Sequence, residues 1–144
     1  FFPGAELLML GVEASERALE VGRVVAEVTQ EHGRRAVFVG STDLTHYGPN
    51  YGFSPEGGGS GALDWVRNVN DQGFIDALLG WNPQQALEHS LSAGSACCPG
   101  AALAAFASAE ALRTEPLDPC LVEHYLSADV RPSDSFVGYA SIVA

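Results

Sequence analysis

The apolar and polar positions fall into short blocks whose spacing changes along the chain. Glu6-Leu7-Leu8-Met9-Leu10-Gly11-Val12 is a nearly continuous apolar run, the pattern of a buried strand. From Ala14 to His32, apolar residues recur at Ala18, Leu19, Val21, Val24, Val25 and Val28 with charges between them. That spacing predicts an amphipathic helix starting near Glu13 or Ser15 and stopping at Gly33. Arg35 to Gly40, rich in Val and Phe, reads as a second strand. Strand, helix, strand is one βαβ unit, which predicts parallel pairing and a right-handed crossover.

Ser41 to Gly61 is loop, with Pro49, Pro55 and clustered glycines; Gly57-Gly58-Gly59-Ser60-Gly61 is linker-like but is flanked by similar composition, so it marks no domain boundary. Ala62 to Leu79 is helical, its apolar face formed by Leu63, Trp65, Val66, Val69, Phe74, Ile75, Leu78 and Leu79. Asn82-Pro83 opens a short helix reaching about His89, with Asn82 as N-cap and Pro83 at the first position. Cys98-Pro99 opens an Ala-rich helix to about Leu112. The period then shortens: Cys120 to Leu126 and Ser135 to Val143 read as strands, with Asp129, Pro132, Ser133 and Asp134 in the turn region between them. The expected fold is therefore an α/β domain with a mostly parallel sheet and flanking helices.

Composition narrows the function classes. The 144 residues suffice for one core, and 47% hydrophobic against 17% charged residues excludes a disordered chain. A formal net charge of −11 argues against nucleic acid and anionic membrane as partners. All 7 basic residues are Arg, so Schiff-base chemistry and a phosphate-loop lysine drop out. Three cysteines are too few for a disulfide framework and fit a reducing, cytoplasmic setting. No apolar run is long enough to span a bilayer. The chain opens Phe1-Phe2-Pro3, without Met, straight into a strand-like segment, as the middle of a longer gene product would. There is no nucleophile elbow, phosphate loop, paired-His zinc motif or CxxC pair.

The remaining chemistry gathers at two places. In Gly40-Ser41-Thr42-Asp43-Leu44-Thr45-His46-Tyr47-Gly48, Asp43 and His46 follow the end of a predicted parallel strand, where ligands bind in open α/β sheets. The pair could ligate a metal, or Asp43 could orient His46 as a general base. Equally, Asp43 could be a turn residue and His46 a hydrogen-bonded loop imidazole. At Cys97-Cys98-Pro99-Gly100, Pro99 makes Cys98 the N-cap. A thiolate there is favoured by the helix dipole, so Cys98, rather than Cys97, is the candidate ligand; a buried structural thiol is the alternative. His32 and His89 sit late in helices, and His124 lies on a strand. Tyr47, Tyr51 and Phe53 offer an aromatic rim for a small molecule or peptide.

Gly40 to Phe53, Ala96-Cys97-Cys98-Pro99-Gly100-Ala101 and Pro132-Ser133-Asp134-Ser135-Phe136-Val137-Gly138-Tyr139-Ala140 together resemble the Memo-like family, also called protein B of the AmmeMemoRadiSam system. The resemblance implies a fold similar to that of the extradiol ring-cleaving, non-haem iron dioxygenases, and a mononuclear Fe(II) site with a metal-dependent redox or oxygen-using activity. It implies Cys98 as a metal ligand, with Asp43 and His46 lining the same pocket as acid–base groups rather than as direct ligands. It covers only the C-terminal half of the family's length, residues 1–144 here, and places two further His ligands before Phe1. It therefore implies an incomplete metal site in this chain, and an exposed apolar patch that favours homo-oligomers or association with the other half. The competing expectation is a non-catalytic Memo-like module that binds a peptide or small ligand.

Overall fold

The computed structural model describes residues 3–144, so the Phe1-Phe2 opening lies outside the described residues. The long helix expected first is α1, Arg17–Glu31, stopping two residues before Gly33. The next predicted helix is continuous but not uniform. It runs as α2 (Ser60–Trp65), one π-helical turn over Val66–Asn70, then α3 (Asp71–Leu79). A π turn shifts the side chains that follow it around the axis. Here it leaves Asn70 and Asp71, two adjacent polar residues, both buried.

Asn82 caps α4 (Pro83–Ala93), its side chain accepting the Gln85 N–H at 3.2 Å. Cys98 takes the N-cap position of α5 (Pro99–Leu112) as the Pro99 rule requires. The helices α1 and α5 lie unusually close. A Cβ at Gly22 would overlap the Ala104 carbonyl, and Ser108 Oγ donates to the Gly22 carbonyl at 2.8 Å. Leu44, Phe74, Ile75, Leu78, Leu87 and Leu103 form the main core among the helices.

The sheet has three strands in the order β1-β3-β2: β1 His46–Tyr47, β2 Cys120–Leu126 and β3 Phe136–Val143. Both pairings are antiparallel. His46 faces Val137 across one, and Leu126 faces Gly138 across the other. The two tail strands thus form as predicted, joined through a single-turn helix α6, Ser127–Val130, where only a turn is expected. A second core of Tyr47, Val66, Leu126 and Phe136 sits beneath this sheet.

The chain is mixed α/β, but among the described residues the expected parallel sheet and its βαβ unit are not formed. Residues 5–12 and 34–40 run without strand pairing. Leu7 is 84% exposed, Met9 83% and Val39 80%. Apolar runs of this kind signal a strand covered on both faces, yet pattern alone says nothing about who covers it. With no neighbouring strand to share backbone hydrogen bonds, they form no ladder. The sheet that does form uses β1, taken from within the predicted loop.

Candidate metal centre

The middle of the Asp43–His46 stretch is fixed by two backbone bonds to Gly138 of β3. Leu44 N–H donates to the Gly138 carbonyl at 2.9 Å, and Gly138 N–H donates to the Thr45 carbonyl at 3.0 Å. His46 then begins β1. Its Nε2 stands 3.2 Å from Asp43 Oδ2, with both side chains partly exposed. The Tyr51 ring lies beside the imidazole, centroids 4.9 Å apart. Tyr51 comes from the short 3-10 turn that follows β1.

The Cys97-Cys98 loop is clamped onto the same place. Cys97 N–H donates to the Asp43 carbonyl at 3.1 Å, and Cys98 N–H donates to Thr42 Oγ1 at 2.9 Å. Thr42 Oγ1 donates in turn to the Asp43 carbonyl at 2.9 Å and lies 3.8 Å from Cys97 Sγ. The result brings together Asp43, His46 and Cys97: one ligand atom from each lies within 4.8 Å of the other two. Ligands around one ion at about 2.0–2.3 Å stand roughly 3 to 4.6 Å apart, so the group is of coordinating size. Carboxylate, imidazole and thiolate suit a divalent first-row metal, with three donors leaving positions open for further ligands.

Asp43 and His46 are therefore adjacent, as their spacing predicts. The cysteines part differently from the expectation. Cys97, expected to point elsewhere, closes the group, and Cys98 is outside it while holding the helix cap. Its hydrogen bond with Cys97 first, then the Cys97 charge, burial and the Asp43 charge, push the Cys98 thiol up. The aromatic rim also separates. Tyr47 is buried, its hydroxyl donating to the Gly57 carbonyl and accepting from the Glu56 N–H, both at 3.0 Å, while Phe53 packs into the same cluster. Of these three rings, Tyr51 is the one beside His46.

Behind Thr45 lies a set of groups absent from the expected site. Asp71, wholly buried, accepts from Thr45 N–H at 3.1 Å and from the Thr45 hydroxyl, and faces His124 Nε2 at 3.0 Å. Asn70 Nδ2 donates to Thr45 Oγ1 at 2.9 Å and to the Ala93 carbonyl at 3.0 Å. A signal existed in the sequence. Asn70 and Asp71 interrupt the stripe of Val66, Phe74, Ile75 and Leu78, where a solvated polar face does not belong.

Comparison with known proteins accords with these motifs. The chain is 28% identical over 138 residues to a MEMO1 family protein of Pyrococcus abyssi, covering 94% of this chain and 47% of that one. A MEMO1 family protein of Pyrococcus furiosus is 29% identical over 141 residues, again 94% and 47%. One from Thermococcus onnurineus is 30% identical over 146 residues, with the same coverage. The chain thus spans about half the length of the relatives it matches. Among the described residues no helix is long and apolar enough to cross a membrane. Residues 7–143 match the Memo-like protein family, and the chain belongs to it.

Proposed function

We propose that Asp43, His46 and Cys97 form one wall of a mononuclear metal site, and that the complete protein uses it for a metal-dependent redox or oxygen-using reaction. The observation that carries this reading is the convergence of carboxylate, imidazole and thiolate within 4.8 Å. An open coordination sphere of mixed donors is the arrangement redox-active Fe(II) uses to admit a substrate or oxygen. Imidazoles from the half of the family's length that this chain does not span would complete the sphere. Cys97 then remains as the thiolate ligand. Asp43 and His46, 3.2 Å apart, serve as a proton-handling pair beside it, the carboxylate orienting the imidazole. In the 144-residue chain alone the same three groups bind a divalent ion only weakly.

Anaerobic Fe(II) titration of a protein carrying the full Memo-like length tests this. One equivalent bound tightly, with weak binding by the 144-residue chain, is expected. No stoichiometric binding by the longer protein would sink the redox reading. The second reading, a non-catalytic module for a peptide or small ligand, has in its favour Tyr51, 46% exposed beside His46. Tyr47 is buried and Phe53 is partly buried against it, which leaves Tyr51 as the ring of that rim beside His46.

A further inference from the structure

We infer that Asp71 is a positioning residue for the metal wall, acting through Thr45; the inference rests on the metal reading above. The carboxylate is fully buried with no Lys or Arg among its hydrogen-bond partners. A buried carboxylate needs its lone pairs filled by donors, and here three donors come from two different elements. Thr45 supplies its N–H and its hydroxyl, and His124 on β2 supplies Nε2.

Thr45 lies between Asp43 and His46 in sequence. Because its hydroxyl donates to Asp71, its oxygen is left to accept from Asn70 Nδ2 at 2.9 Å. The second hydrogen of that amide goes to the Ala93 carbonyl at 3.0 Å, at the end of α4, just before the loop that carries Cys97. Asp71 and Asn70 therefore tie Thr45, between Asp43 and His46, to the start of α3, and Asn70 also ties in the last residue of α4, ahead of the Cys97 loop. The fold makes room for this. Gly138 in β3 faces Asp71, and a Cβ there would overlap Asp71 Oδ2. The π turn at Val66–Asn70 ends where the two polar residues turn inward, and His89 Nε2 meets the Asn70 carbonyl at 2.9 Å. Hydrogen bonds that orient metal ligands from behind change affinity without touching the ion.

The test uses a protein carrying the full Memo-like length, with Co(II) as the probe ion, and two readouts: Co(II) affinity by thiolate-to-cobalt absorption, and exchange of the Cys97 amide, which donates to the Asp43 carbonyl. The variants are Asp71→Asn, Thr45→Val, which keeps shape but removes the hydroxyl, and Thr45→Ser, which keeps the hydroxyl. Ser108→Ala is the control: it removes a buried hydroxyl bonded only to the Gly22 and Ala104 carbonyls. Asp71→Asn and Thr45→Val are expected to weaken Co(II) binding by about 10- to 100-fold and to speed Cys97 exchange. Thr45→Ser and Ser108→Ala are expected to stay near wild type in both. If Asp71→Asn and Thr45→Val match Ser108→Ala in both readouts, Asp71 is only a structural group and the inference is overturned. A wild-type protein of that length that binds no Co(II) at all removes the metal reading, and the Cys97 exchange comparison then decides the role of Asp71 alone.

Discussion

The two adjacent thiols at the start of α5 face different surroundings because one of them is a helix cap. The Cys98 backbone, φ −133° and ψ 57°, together with its N–H bond to Thr42, leaves the preceding side chain beside Thr42 and Asp43. The Cys98 thiol is pushed up by its hydrogen bond with Cys97 first, then by the Cys97 charge, burial and the Asp43 charge, while Cys97 Sγ is the sulfur that lies within 4.8 Å of the Asp43 and His46 ligand atoms. Cys97→Ser should therefore lower Co(II) affinity about tenfold or more and abolish the thiolate-to-cobalt absorption. Cys98→Ser should leave both near wild type. The opposite pattern would return the ligand role to Cys98. The sequence identifies the loop and the cap, since Pro99 forces them, but cap rules describe the backbone of the capping residue and not the direction of the side chain before it. Asp43 and His46 were legible because three residues in a tight loop cannot separate far. The partners of Asp71 were not, since Thr45 and His124 lie 26 and 53 residues away; only its break in the apolar stripe was visible.

At the scale of elements, local signals survive and non-local ones do not. The caps at Asn82 and Cys98 and the strands β2 and β3 match the sequence pattern, because each is specified by neighbours within a few residues or by a partner one short connection away. That connection, α6, is too short to show a period and depends on one acid. Asp129 Oδ2 accepts the Leu126 N–H at 2.8 Å, and its carboxylate pairs with Arg67 Nη2 at 2.7 Å. The Leu126 bond, followed by Arg67, holds Asp129 below the usual carboxylate range. A carboxyl depressed in the folded state adds stability above its unfolded pKa, and that stability is lost as pH falls through the folded value. Asp129→Asn should thus cost about 1 kcal/mol near pH 7. In urea unfolding the gap from wild type should narrow below about pH 4 and close under the folded pKa. A gap that stays constant down to acid unfolding would show that Asp129 acts by shape and not by charge.

For the whole molecule, the two segments without strand partners matter more than any single contact. Residues 5–12 and 34–40 carry Leu7, Leu8, Met9, Val37 and Val39, each at least 66% exposed. Apolar side chains exposed together beside unpaired backbone make a template for another strand. Relatives in which this chain spans only 47% of the length have as much polypeptide again with which to cover such a template. The 144-residue chain is therefore expected to self-associate. Because its net charge is −11, copies repel one another, and salt should strengthen the association by screening that repulsion. Met9→Glu with Val39→Glu should reduce association while changing unfolding stability by only about 0.5 kcal/mol per site, since neither side chain is buried. Amides of residues 6–12 and 35–40 should exchange rapidly in any monomeric fraction and slowly in a protein of full Memo-like length. Light scattering with hydrogen exchange measures both. A monodisperse monomer at about 100 μM, unchanged by salt and by the double substitution, with those amides already protected, would mean that the two segments need no partner.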